Sequence, residues 1–190
     1  ESLSTFLTLL WDVGLEIGHS VRNLDECMQE AQTDLTIATT LMESRLLIGP
    51  ENLFSDMQKI INSKKMWPSS IFFKEKQKEQ INRHHSHHDT AYNLEPNLKS
   101  SPGGLRDIQL IGWVAKRHFG VSTLSELVNH NFLTKGQLSR LKEGEEFLWR
   151  IRFALHMVTG RREDRLLFNY QIRLAEILGY EDTANTLAVE

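Results

Sequence analysis

The sequence predicts a mainly α-helical chain with a small α+β part at its N-terminal end, and three observations carry that expectation. Apolar residues recur at three-to-four spacing through most of the 190 residues, the repeat that lines up side chains on one helix face. Only 4 prolines and 11 glycines interrupt it, and several stand where a helix must stop. The exception is 15–22, where Ile17 and Val21 are β-branched and Gly18 and Ser20 are small, a composition suited to a short strand.

In chain order, Phe6, Leu9, Leu10 and Val13 form an apolar stripe that ends near Gly14. Beyond the strand-like stretch, Asn23 or Asp25 caps a helix through Cys27, Met28 and Ala31. The segment from Asp34 reads two ways. Thr36, Ile37, Thr39 and Thr40 favour a strand running into a helix at Leu41, or Asp34 N-caps one helix throughout. Gly49 and Pro50 end it, and Leu53, Met57, Ile60 and Ile61 mark the next helix, closed by a turn at Trp67-Pro68-Ser69-Ser70. After Phe73 the apolar content collapses, so 71–89 reads as a solvated helix bridging two lobes. The segment 92–102 is rich in turn formers, and Gly103-Gly104 opens a helix with Leu105, Ile108, Ile111 and Val114 on one face. Further helices are expected at 122–129, 134–160 and 169–178, with Thr123 or Ser125 and then Thr134 as caps. Domains 1–90 and 91–190 follow from this division.

Composition narrows the function classes. A net charge of -3 argues against a polyanion-binding module held by bulk electrostatics and leaves only a local basic patch for such a role. No run approaches the ~18 apolar residues of a membrane helix. The single Cys27 rules out an internal disulfide and any Cys-Cys zinc site, which favours a reducing, cytoplasmic setting. The chain opens at Glu1 without a methionine and stops at Glu190 without a capping signal, so both ends read as cut from something longer.

The most informative segment is Tyr92-Asn-Leu-Glu-Pro-Asn-Leu-Lys-Ser-Ser-Pro-Gly-Gly-Leu-Arg-Asp107. Pro-Gly-Gly before a helix lets backbone approach a ligand and leaves N–H groups pointing outward, a ready phosphate receptor. Lys99 and Arg106 add cationic donors. Asp107 is suited to orienting Arg106, holding a metal or complementing the helix N-terminus. The plainer reading is a well-capped helix after a tight turn.

With Lys99, Gly103, Gly104, Arg106 and Asp107 in this order, the segment resembles the signature of the bifunctional PII uridylyltransferase/uridylyl-removing enzymes of bacterial nitrogen control. Leu10-Trp11-Asp12, Gly14-Leu15 and Gly18-His19-Ser20-Val21-Arg22 resemble the latter part of that family's nucleotidyltransferase domain; the stretch from Phe147 to His156 and that from Arg165 to Phe168 resemble its following helical domain. The resemblance implies an incomplete nucleotidyltransferase (polymerase-β-like) fold plus a helical bundle. It also implies transfer of UMP from UTP to a tyrosine of the PII signal protein, with Mg²⁺ or Mn²⁺ as cofactor and neither nucleic acid nor membrane as partner. By the same resemblance Lys99, Gly103, Gly104, Arg106 and Asp107 line the nucleotide side, and Asp34 is the candidate third metal carboxylate. No Asp-x-Asp or Glu-x-Asp pair behind a Gly-Ser loop occurs in the 190 residues, so they are expected to be inactive by themselves. A helical interaction module without nucleotide binding, or a region of an adenylyl-transferring relative, are the competing readings.

Other features have competing readings. In His84-His85-Ser86-His87-His88-Asp89, His84 and His88 share a face if the segment is helical, a spacing that invites adventitious metal. His88-Asp89 is read as a coincidental match to a hydrolase dipeptide. Trp149, Phe153, Leu155 or His156, and Met157 read as a core face, and Cys27 as a small core residue. Arg150, Arg152, Arg161, Arg162 and Arg165 face triphosphate, an acidic partner or water. Tyr92, Asn93 and Glu95 are candidates for shaping the nucleotide pocket.

Overall fold

The computed structural model describes residues 2–63, 66–121 and 123–189. Among them the chain is helical: α1 (Ser2–Asp12), α2 (Leu24–Thr33), α3 (Leu35–Met42), α4 (Glu51–Asn62), α5 (Ser69–Ser86), α6 (Leu105–Phe119), α7 (Glu126–Asn129), α8 (Lys135–Thr159) and α9 (Phe168–Leu178). Two compact units divide at Ile61 and Asn62. No helix of the described residues is long and apolar enough to cross a membrane.

In the first unit α2 and α3 pack together and carry the buried Cys27, Ala31, Leu35, Ala38 and Met42. Asn23 caps α2 in a reciprocal box, its side chain accepting from Glu26 N–H at 2.9 Å while Glu26 Oε2 accepts from Asn23 N–H at 2.8 Å. Asp34 ends α2 and begins α3, accepting from Thr36 N–H at 2.6 Å and Ile37 N–H at 3.2 Å. Of the two readings of this segment the single capped helix holds. The threonines are accommodated because Thr39 and Thr40 donate their hydroxyls to Leu35 and Thr36 carbonyls of the preceding turn.

The small β part is not seen. Residues 15–22 are irregular, with Leu15 and Val21 exposed. β-Branched residues favour extended backbone, but a strand exists only as a pairing, and no segment pairs with this one among the described residues. The isolated bridge between Asn97 and Arg165 is far from it in the chain.

In the second unit α5 packs on α6, α6 on α8, and α8 on α9. One core is Leu98, Ala154, Leu155 and Leu174, with Leu148, Ile151 and Leu166 against it. A second is Ala115, Val121 and Leu127, with Ile111, Phe119 and Leu133 around it. Thr134 begins α8 in a capping box with Gln137. The helix expected at 122–129 is the short α7, and Ser122 lies outside the described residues, as do Glu1 and Glu190.

Three sequence expectations change here. The helix read as solvated, α5, buries Phe72 and Lys76 and meets α6 through polar side chains, which an apolar periodicity does not register. On α8 the core face runs through Leu148, Ile151, Ala154 and Leu155, whereas Phe153 and Met157 are exposed and border a cleft with Arg150, Arg173 and Ile177. His88 and Asp89 have φ of 63° and 51° and lie beyond the end of α5, so His84 and His88 do not share a helix face. Asp89 closes the helix, donating its N–H to His84 carbonyl at 3.0 Å and accepting from His85.

Candidate functional site

The segment 95–107 forms a self-bonded loop leading into α6. Asn97 Oδ1 accepts from Lys99 and Ser100 N–H at 3.1 and 2.8 Å, and Asn97 N–H donates to the buried Ser101 hydroxyl at 2.9 Å. Leu98 inserts into the first core, and its N–H donates to Asp164 carbonyl at 2.8 Å. Gly103 has φ +80°, a conformation L side chains avoid. A Cβ on Gly104 would sit 2.9 Å from the carbonyl oxygens of Leu98 and Ser101. Both glycines are thus demanded by the loop itself.

The amides of this turn are committed internally. Gly103 N–H donates to Asp107 Oδ2 at 2.8 Å, Gly104 to Ser101 carbonyl at 2.9 Å, Leu105 to Leu98 carbonyl at 3.0 Å, and Arg106 to Lys99 carbonyl at 2.9 Å. The outward-pointing N–H groups expected from the sequence are therefore not there to receive phosphate. Any anion at this turn is met by side chains.

Asp107 is the hub of a second network, joining α6 to α5. Its Oδ1 accepts from Arg83 Nη2 at 2.6 Å and Gln80 Nε2 at 2.8 Å, and His84 Nε2 lies 3.1 Å from each carboxylate oxygen. Burial alone would raise the Asp107 pKa, but hydrogen bonds from Arg83, Gln80 and Gly103 outweigh it and hold it below the ordinary value. Arg83 also donates to Ser100 carbonyl at 2.9 Å. The orienting role suggested for Asp107 is directed at the turn and at α5. Sequence reasoning did not find Gln80 and Arg83 and took His84 only for adventitious metal, although their i, i+3, i+4 spacing puts the three on one face.

The two signature cations stand apart from this network. Arg106 lies 5.5 Å from the centroid of Trp113, whose ring also receives the buried Lys76 ammonium at 4.6 Å. Neither Lys99 nor Arg106 donates a side-chain hydrogen bond to a described residue. Lys99 has its pKa lowered by burial and by the positive fields of Arg106, Arg152 and Arg162, against which Asp164 acts in the opposite sense.

The arginine run resolves into separate fates. Arg161 pairs with Glu163 at 2.9 Å, and Arg165 with Glu95 at 3.3 Å. Glu95 also accepts Phe168 N–H at 3.0 Å at the start of α9, so it organises this loop, while Tyr92 is 93% exposed. Arg152 stacks 5.2 Å from the Trp149 centroid and donates Nε to Asp164 at 2.7 Å.

Asp34 lies in the other unit, exposed at its helix start. No group of three or more His, Cys, Asp or Glu among the described residues could share a metal ion. By themselves these residues do not fit a metal centre.

A sequence profile of the family described as GlnD PII-uridylyltransferase matches residues 71–190. A bifunctional uridylyltransferase/uridylyl-removing enzyme of Nitrosococcus oceani is 56% identical over 190 residues, 100% of this chain and 21% of its own length. Enzymes of the same description from Pseudomonas syringae pv. tomato and Azotobacter vinelandii are 55% and 54% identical over the same shares. The chain spans about a fifth of the length of the curated relatives it matches. No solved structure matches it.

Proposed function

This chain belongs to the GlnD PII-uridylyltransferase family, and on that premise we propose that it is a region of a nucleotidyltransferase that moves UMP from UTP to a tyrosine of the PII protein. In this reading residues 1–90 are the latter part of a polymerase-β-like nucleotidyltransferase domain with its polar helix, and 91–190 the helical domain that follows. The relatives' printed name adds a uridylyl-removing activity, which we attribute to residues elsewhere in a longer protein. A cytoplasmic setting, expected from the single cysteine, belongs to the same proposal.

The observation that carries the reading is the pair of signature cations, Lys99 and Arg106, whose charged heads have no hydrogen-bond acceptor among the described residues. A nucleotide's phosphates supply acceptors of matching charge. Gly103 and Gly104 contribute by letting the chain fold tightly enough to bring Lys99 beside Arg106, and Asp107 by bracing the turn against α5. Mg²⁺ or Mn²⁺ is proposed with UTP, to screen the polyphosphate and activate the hydroxyl when bound. Asp34 supplies at most one carboxylate, so other ligands would come from outside these 190 residues.

The test is UMP transfer by the full-length protein, with Mg²⁺, labelled UTP and purified PII protein. Label should appear on a PII tyrosine, and Arg106→Ala should lower kcat/KM for UTP about a hundredfold. The 190-residue chain alone should transfer nothing measurable. Unaltered transfer by Arg106→Ala would remove the site from this reading, and absence of label with wild-type protein would remove the activity.

A further inference from the structure

We infer that the cavity between α5 and α6 receives one phosphate group, met by Arg106 from α6 and Lys76 from α5 at the Trp113 ring. The inference rests on the nucleotide reading above and extends it to α5, which contributes no residue to the signature.

The cavity measures about 140 Å³ and is walled by Lys76, Glu79, Gln80 and Arg83 from one helix and by Arg106 and Trp113 from the other. That is well under the roughly 300 Å³ at which pockets for whole small molecules begin, so the space suits a single group. Three of the lining side chains are cations, and one, Glu79, is an anion. Arg83 commits both terminal nitrogens to the protein, Nη2 to Asp107 at 2.6 Å and Nη1 to Ser100 carbonyl at 2.9 Å. Lys76 donates to Glu79 Oε2 at 2.8 Å. Arg106 has no acceptor among the described residues, and its guanidinium lies 5.5 Å from the Trp113 centroid.

Lys76 is the more telling group. Its side chain is 3% exposed while that of its carboxylate partner is 49% exposed, so a buried charge leans on an acid that water screens. An ammonium carries three N–H donors. One goes to Glu79, and the Trp113 ring at 4.6 Å answers the charge through its π face. An oxygen placed in the cavity takes a remaining donor. A phosphate does this better than a second carboxylate, because it gathers up to about two charges and three acceptor oxygens on one centre. It can accept from the ammonium of one helix and the guanidinium of the other together. Glu79 competes with such a group for the same ammonium. Removing its charge therefore tightens binding, an effect that a purely structural ion pair does not give.

Full-length protein titrated calorimetrically with UTP, and separately with inorganic phosphate, tests this. Lys76→Met keeps the buried stem, removes the charge and should raise Kd about tenfold. Glu79→Gln, at a half-exposed position, should lower Kd about threefold, and it decides the matter if Lys76→Met fails to fold. Lys78→Ala, exposed and outside the cavity lining, should change nothing. Shifts for UTP with none for inorganic phosphate support the cavity and identify its occupant as a phosphate of the nucleotide. Shifts for inorganic phosphate with none for UTP support it as a site for free phosphate. No binding of either ligand, or an unchanged Kd for both in either variant, would overturn the inference even with UMP transfer intact. So would weaker binding by Glu79→Gln. A response to succinate with none to phosphate or UTP would overturn it in favour of a carboxylate ligand. The expected shifts in a protein that transfers no UMP would support the cavity and sink the uridylyl reading.

Discussion

Lys99 shows what a single side chain contributes when its neighbours carry the same sign. Its folded pKa lies below the ordinary 10.5 because burial and three arginines disfavour the ammonium. A lysine shifted in this direction binds fewer protons folded than unfolded, so native stability rises as pH climbs through the folded value towards 10.5. Lys99→Met should therefore stabilise the protein at neutral pH by about 0.5–1 kcal/mol, read from the urea midpoint, while weakening UTP binding. A variant that loses stability and keeps its affinity would contradict the reading of Lys99 as a phosphate contact. Asp34 contrasts with it: one carboxylate oxygen accepts two N–H groups at the start of α3, a structural task complete without any ligand.

At the level of elements, the loop into α6 behaves as a hinge pin made of backbone. Gly104 has no room for a Cβ, since the nearest atoms belong to carbonyls that cannot rotate away. Gly104→Ala should cost about 2–3 kcal/mol through overpacking, and Gly103→Ala about 1–2 kcal/mol through its positive φ, both measured by chemical denaturation. Equal stability of Gly104→Ala and wild type would mean that the loop is not held against 98–101 as described. The helix before it, α5, docks on α6 through a polar stripe, with Lys76 over the Trp113 ring and Gln80, Arg83 and His84 at Asp107. That stripe is why a helix with few apolar residues still packs.

Across the second unit as a whole, two carboxylates fasten separate joints: Asp107 between α5 and α6, Asp164 between α8 and the loop that follows it. Burial would raise both pKa values, but the hydrogen bonds from Arg83 and Gln80 on one, and from Arg152 and His156 on the other, lower them below the ordinary 3.8. Such groups stabilise the fold above the unfolded pKa and lose that contribution as pH falls through the folded one. Thermal stability should therefore be level on this account between pH 7 and 5 and drop below about pH 4. Asp107→Asn with Asp164→Asn should lower the unfolding free energy at pH 7 by on the order of 2 kcal/mol per site, and flatten the acid limb. An acid limb unchanged in the double variant would show that other carboxylates control it.

The sequence by itself determined several helix ends, because caps and stops act within a few residues: Asn23 with Glu26, Thr134 with Gln137, Gly14 after α1. It also determined the family, through the ordered residues from Tyr92 to Asp107 and the motifs on either side. Tertiary structure alone decided how those residues are used. Whether 15–22 pairs as a strand, whether the Gly-Gly amides are open or committed, and which arginine pairs with which carboxylate depend on groups distant in the chain. Arg83 reaches Asp107 across 24 positions, and Arg165 reaches Glu95 across 70. A charge pattern states that cations are present; only packing, by closing some hydrogen bonds and leaving others unmade, decides which of them remain available to a ligand.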